Sequence, residues 1–318
     1  MTSFERLVAE LPERGLAWHR DTILANSIAN APHIVNTIRA VKTNPAPCLI
    51  VAAGPSLYRE SIFPRIYNRF QGTIVATDSA YIQCLKAGII PDYVVTLDPH
   101  PTRMVRWFGD PDLEKNMNGD DYFERQDLDV AFRINAKEEN ETNIGLVNRH
   151  KVPLIICSTA PSNVVKRTAL HERYWFAPLV DDPEAADSIT RKIVSATDLP
   201  ALNTGGTVGT AAWVFAHSIL KSLDIAVVGM DLAYYEDMPL DKTQSWHMLG
   251  GNAAMYPSFT NPNGQRSFTD PTYFWYRENF LGLLKSNAAT VTNCTGTGLL
   301  DGEGVKWMGL EQWLRNAQ

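Results

Sequence analysis

Pro47-Cys48-Leu49-Ile50-Val51-Ala52-Ala53-Gly54-Pro55-Ser56-Leu57 reads as a short buried strand that runs into a tight turn and then a helix. Apolar residues fill Leu49 to Ala53. Gly54 has no Cβ, so the backbone can turn sharply or let another group come close. Pro55 fixes φ at the start of the helix. Ser56 can accept from a free N–H of the new helix or donate to a ligand oxygen. Strand, glycine turn and helix start together suit a phosphate or carboxylate. The alternative is an ordinary strand-to-helix connection.

Outward from this stretch the pattern repeats. Thr73–Thr77 reads as a second strand, ended by Asp78-Ser79, and Ala80–Lys86 as a helix stopped by Gly88. Tyr93–Leu97 is a third strand, ended by Asp98-Pro99-His100. Asp129–Ile134, Pro153–Cys157 and Ile225–Val228 come next, the last ended by Gly229-Met230-Asp231. Short strands alternating with helices, β-branched on both faces, predict an α/β fold: a mostly parallel, Rossmann-like sheet with helices on both faces. Ligands bind such sheets at the carboxyl ends of the strands, which gives Gly54, Asp78, Asp98 and Asp231 one address.

Residues 1–45 read as an N-terminal helical appendage without obvious chemistry, its first helix ended or interrupted by Pro12, and 46–318 as the main domain. Gly109–Asp127 and Asp181–Asn203 are too irregular for firm elements. Residues 231–270 are long, aromatic-rich and aperiodic, the pattern of a lid or binding loop. Asp270–Lys285 reads as a helix and Leu310–Leu314 as the last turns.

Composition bounds the function. The 318 residues are 45% hydrophobic and 20% charged, with net charge −6, a globular chain long enough for a large core. The acidic balance argues against nucleic acid as a partner. Cys48, Cys84, Cys157 and Cys294 are far apart and form no CxxC pair, so neither zinc nor a redox pair is expected. No signal-peptide pattern or membrane-length apolar run is visible, and the expectation is a cytoplasmic protein.

A second glycine turn, Asn203-Thr204-Gly205-Gly206-Thr207, feeds a helix of small residues. Paired glycines can free backbone N–H groups for one anion. A close-packed helix start without a ligand is the alternative. Neither a Walker loop nor a GxGxxG fingerprint is present. Asp78, Asp98 and Asp231 can each cap a helix or position a hydroxyl, and two together can hold Mg²⁺ beside a di- or triphosphate. His100 and His247 are candidate bases, with His247 favoured because it lies in the aromatic loop after Asp231.

The ordered set Ala53-Gly54-Pro55-Ser56-Leu57, Ala76-Thr77-Asp78-Ser79-Ala80, Ala87–Pro99, Thr204–Ala211 and Val228-Gly229-Met230-Asp231-Leu232-Ala233-Tyr234 resembles a known family. It is the family named for the archaeal 6-hydroxymethylpterin diphosphokinase, which includes the motility accessory factor (Maf) glycosyltransferases. The likeness runs over about residues 46–300. It implies a nucleotide-handling transferase domain. In the glycosyltransferase branch the donor is a CMP-activated nonulosonic (sialic-acid-like) sugar and the acceptor a glycan or protein hydroxyl. Gly54, Pro55, Ser56, Thr204, Gly205, Gly206 and Thr207 would then hold the donor, Asp78 and Asp98 would fix nucleotide or sugar, and Asp231 or His247 would take the acceptor proton. No metal is favoured in that branch. In the kinase branch ATP and Mg²⁺ would be used, with Asp78, Asp98 and Asp231 holding the metal. A non-catalytic nucleotide or sugar sensor is a third reading, and a homo-oligomer stays open.

Overall fold

The computed structural model describes residues 2–116 and 132–317. Its centre is one large sheet. In chain order the strands are β1 (Asn36–Thr37), β2 (Cys48–Val51), β3 (Thr73–Thr77), β4 (Tyr93–Thr96), β5 (Leu154–Cys157), β6 (Arg173–Pro178), β7 (Ala201–Leu202), β8 (Ile225–Val228), β9 (Tyr234–Tyr235), β10 (Ser258–Thr260), β11 (Arg266–Phe268), β12 (Val291–Asn293) and β13 (Val305–Trp307). The large sheet has the order β1-β6-β5-β4-β3-β2-β8-β12-β13, with β7 beside β6. Every pairing in it is parallel. The expected α/β, Rossmann-like architecture is therefore present.

Strand residues alternate between two cores. Leu49, Val51, Ala76, Val94, Leu154 and Ile156 face one helical layer. Cys48, Ile50, Val75, Val95, Ile155 and Val227 face the other. Burial on both faces explains the near-continuous apolar runs. Each fully buried Leu, Ile or Val contributes about 1.5–3 kcal/mol. All four cysteines are free and buried. Burial pushes the Cys157 thiol up to about 11, which leaves it a small apolar core residue.

Several expectations need correction. The sequence reading places no strand at 173–178, yet Arg173–Pro178 pairs with β5, β1 and β7. Of the strand expected at Asp129–Ile134, residues 129–131 lie outside the described residues, and Phe132 opens a helix to His150. Helix Ile189–Thr197 occupies the irregular 181–203 stretch, anchored by Asp181, whose carboxylate accepts from Ser188 Oγ at 2.7 Å and Ile189 N at 2.6 Å. Pro12 does not end the first helix, which runs unbroken from Ser3 to Asn30. A capping box between Thr2 and Glu5 starts it, and packing against the rest of the chain outweighs the local cost of one proline.

Residues 231–270 carry a small antiparallel sheet in the order β10-β11-β9. Its apolar centre is Tyr234, Met255, Tyr256 and Phe268, and Phe4 and Leu7 of the first helix pack against it. Beyond it lies the helix Pro271–Ser286, capped by Asp270, whose carboxylate accepts from Tyr273 N at 2.9 Å. The chain closes with Leu310–Asn316.

Candidate functional site

The strand order reverses between β2 and β8: β3 to β6 lie on one side of β2, while β8, β12 and β13 lie on the other. A crevice forms at such a reversal, outside the carboxyl ends of the strands. Gly54 comes after β2 and Asp231 after β8, so the two face each other there.

They face each other closely. The Ser56 hydroxyl donates to Asp231 Oδ2 at 2.8 Å. A Cβ on Gly54 would lie 1.8 Å from that same oxygen and 2.5 Å from the Gly229 carbonyl. Position 54 is thus glycine because a carboxylate needs the space. The Gly54-Pro55-Ser56 turn thus has its Ser56 hydroxyl taken up by the chain's own Asp231. The helix after it, Ser56–Arg59, has four residues, too short to supply the dipole expected of a longer one.

Asp231 is buried, and burial pushes its carboxyl up to about 7 against the lowering effect of Ser56. Oδ1 has no hydrogen-bond partner among the described residues. Around it stand groups that the strand-end rule misses. Tyr235 donates to Glu60 at 3.2 Å, and Leu299 N donates to the Asp231 carbonyl at 2.8 Å. The latter bond folds the buried Asn293-Cys294-Thr295 segment and the loop after it under the site. Asn293 Oδ1 accepts from Thr295 N at 2.9 Å, while Thr295 Oγ1 has no partner among the described residues.

Asp78 ends β3, the next strand along, and opens the helix Asp78–Lys86. Its Oδ1 accepts from Ser79 N at 2.6 Å and from Ser79 Oγ at 3.0 Å, so it does cap its helix. Burial pushes the carboxyl up to about 6, against the lowering effect of Thr96 and Ser79. Oδ2 carries no hydrogen bond among the described residues. A buried carboxyl with a raised pKa at a strand end keeps Asp78 a candidate site residue as well as a cap.

Asp98 comes after β4 and is committed on both oxygens. Oδ1 accepts from His100 N at 2.8 Å, and Oδ2 pairs with Arg103 at 2.7 Å. Among the described residues no three of His, Cys, Asp and Glu are grouped to hold a metal ion, so Asp78, Asp98 and Asp231 share an edge without forming one ligand set.

The second turn lies behind the first. Gly209, at the start of helix Val208–Val214, packs on Met230 and Ala52. Gly206 has φ +86° and lies against the Trp275 ring, a conformation that favours glycine. The turn spends much of its hydrogen-bonding capacity on itself. Gly205 N donates to Asn203 Oδ1 at 3.0 Å and Thr207 N to the Thr204 carbonyl at 3.2 Å. Thr207 Oγ1 accepts from Gly209 N at 3.0 Å and Thr210 N at 3.2 Å. Fewer N–H groups remain for a ligand than the paired glycines suggest.

His247 is exposed in a turn whose backbone is held by the bond from Gly250 N to the His247 carbonyl. No hydrogen bond among the described residues joins its side chain to Asp231.

Residues 23–113 match the family described as 6-hydroxymethylpterin diphosphokinase MptE-like. The family resemblance holds. The matched segment carries the Gly54, Asp78 and Asp98 motifs. The fold is similar to that of the MAf glycosyltransferase from Magnetospirillum magneticum AMB-1, with a TM-score of 0.56 and 15% identity over 92% of this chain. The chain spans 38% of the length of that protein, and at this identity the likeness is one of fold. No curated protein matches the sequence. Among the described residues no helix is long and apolar enough to cross a membrane.

Proposed function

We propose that the protein is a glycosyltransferase that moves a nonulosonic, sialic-acid-like sugar from a CMP-activated donor to a hydroxyl of a glycan or protein. The observation that carries this reading is the Ser56–Asp231 pair at the strand-order reversal. Asp231 is a buried carboxyl with a pKa near 7 and one oxygen unbonded among the described residues, and a strand-order reversal is the general place for a ligand in such sheets. The likeness in fold to a MAf glycosyltransferase and the family match support it.

In this reading the Gly54–Ser56 and Thr204–Thr207 turns lie along the donor phosphate and ribose, Asp78 holds nucleotide or sugar through its unbonded oxygen, and Asp98 holds Arg103 in place. A full negative charge at Asp231 would repel the donor phosphate. The protonated form does not, and at pH 7 it is well populated. Asp231 then serves as a general acid: its proton passes to a phosphate oxygen of CMP as the anomeric C–O bond breaks. Asp231→Asn keeps the shape and loses that proton. CMP release from CMP-N-acetylneuraminate is expected to fall at least about 100-fold in this variant, with CMP still bound. Turnover at the wild-type rate would contradict the assignment.

The family match favours a second reading, pterin diphosphokinase. It requires Mg²⁺, which one or two carboxylates would hold beside the nucleotide phosphates. Asp78 and Asp231 each keep one oxygen for it that is unbonded among the described residues, while Asp98 is already paired with Arg103. Stabilisation by CMP in EDTA separates the two, since a ligand of the folded state raises its apparent stability. Stabilisation only by ATP with Mg²⁺ would favour the kinase. Binding of CMP with no turnover of any donor would leave a sensor.

A further inference from the structure

The N-terminal helix Ser3–Asn30 lies across the carboxyl edge of the sheet. At one end, Asn26 Nδ2 donates to the Thr159 carbonyl at 2.9 Å, just past β5, and to the Pro99 carbonyl at 3.5 Å, just past β4. Asn30 Nδ2 donates to the Ser158 and Ala160 carbonyls at 2.8 and 2.7 Å, and the Ser27 and Ser158 hydroxyls are 2.9 Å apart. At the other end Phe4 meets Phe274, with ring centroids 5.4 Å apart, and packs with Leu7 on the Tyr234 cluster, which comes just after Asp231 in the chain. The middle of the helix thus lies between the ends of β4–β5 and the small β9–β11 sheet, whose first strand follows Asp231 in the chain.

His19, Ile23, Asn26, Ser27 and Asn30 share one face, at spacings of four, seven, eight and eleven residues. Asn26, Ser27 and Asn30 are all bonded to strand ends. His19 lies seven residues before Asn26, about 10 Å back along the helix at 1.5 Å per residue. It is half-buried, and no hydrogen bond joins its side chain to another described residue. The titratable and charged groups acting on it there are Asp98, His100 and Arg103, all from the segment after β4. Burial, first among the causes, lowers its pKa below the ordinary histidine value, so the ring is neutral at pH 7 and one nitrogen holds a free lone pair.

We propose that His19 is the general base of the transfer, carried over the substrate crevice by the N-terminal helix. The inference rests on the glycosyltransferase reading. The neutral imidazole accepts the proton of the attacking hydroxyl. That oxygen forms its bond to the anomeric carbon, the bond from that carbon to the phosphate oxygen breaks, and CMP leaves with the electron pair and the proton of Asp231. The imidazolium then releases its proton to water. Acid and base thus come from opposite sides of the crevice, Asp231 from the sheet and His19 from its cover.

The test uses the full chain, CMP-N-acetylneuraminate as donor and water as acceptor. Wild type, His19→Gln and His19→Ala are compared for CMP release, for CMP binding by thermal shift, and for the pH dependence of kcat. Both variants are expected to bind CMP within about threefold of wild type and to release it at least about 100-fold more slowly. The acidic limb of kcat is expected to disappear, and added imidazole to restore part of the rate in His19→Ala. A structural role would show none of this rescue. Release by His19→Gln within about threefold of wild type overturns the proposal, and so does a loss that tracks lost CMP binding in both variants. Failure of the wild-type protein to bind CMP refutes the glycosyltransferase reading itself. CMP binding by a wild type that does not turn over the donor leaves a sensor and refutes it too, whereas donor turnover that His19→Gln leaves unchanged refutes the base alone.

Discussion

At residue scale the informative position is Gly54. Its φ is unexceptional, and the constraint is space: Asp231 and Gly229 occupy the volume of any side chain there. Gly54→Ala must push Asp231 off Ser56 or open the β2–β8 junction. The expected cost is about 3 kcal/mol, read as a lowered midpoint in urea. Wild-type stability in Gly54→Ala would mean that the two strand ends are not this close.

Asp231 and Asp78 both have folded-state pKa values raised above their unfolded ones, to about 7 and about 6. Between about pH 4 and these values the folded state binds more protons than the unfolded chain. Stability contributed by these two groups is therefore full below about pH 4 and falls as pH rises to 7. Asp231→Asn is expected to be more stable than wild type at pH 8, on the order of 1–3 kcal/mol, and to gain nothing at pH 4. Equal gains at both pH values would assign the effect to packing. The paired assignment also predicts a bell-shaped kcat, falling above about pH 7 as Asp231 ionises and at low pH as His19 charges.

At the scale of elements, the N-terminal helix is tied down by polar bonds as much as by apolar packing. Asn30 is buried and satisfies two strand-end carbonyls. Asn30→Ala leaves both carbonyls buried without that donor. It is expected to cost about 2–3 kcal/mol in chemical denaturation and to raise hydrogen exchange along residues 19–30. Unchanged exchange there would show that the helix is held by its apolar face.

The same helix marks where sequence reading stops. Its existence is legible in the spacing of Phe4, Leu7, Val8 and Leu11, but what lies under it is not. His19 has no local motif, and only the fold brings it beside Asp98. By contrast, β2, β3, β4 and β8 are legible because each is an apolar, β-branched run closed by Gly or Asp. The carboxylates at strand ends are legible for that reason, too. β6 is missed because Arg173-Tyr174-Trp175-Phe176-Ala177-Pro178 begins with a charge, ends in proline and is mostly aromatic. Its strand state comes from pairing with β5. The carboxyl that meets the Gly54 turn is not legible there, since Asp231 is 177 positions later in the chain.

At the scale of the molecule, the parallel order β6-β5-β4-β3-β2-β8-β12 places Gly54, Asp78, Asp98 and Asp231 on four neighbouring strands, at one edge. Strand spacing of about 4.8 Å puts β2 and β4 roughly 10 Å apart, enough for one nucleotide-linked sugar to lie across them. The first helix covers that edge from β5 to the β9–β11 sheet. In the proposed reading the donor enters between the cover and the strand ends, and ligand binding should join the two. CMP is expected to slow hydrogen exchange both in residues 54–57 and along the helix near His19. Protection confined to either one would separate the cover from the site.

The most direct measurement is calorimetric titration of CMP into the protein in EDTA, repeated with Ser56→Ala and with ATP plus Mg²⁺. A nucleotide-sugar site at the β2–β8 junction predicts saturable CMP binding without metal, weakened at least tenfold in Ser56→Ala, and weaker binding of ATP with Mg²⁺. No heat from CMP, together with tight Mg²⁺-dependent binding of ATP, would contradict it.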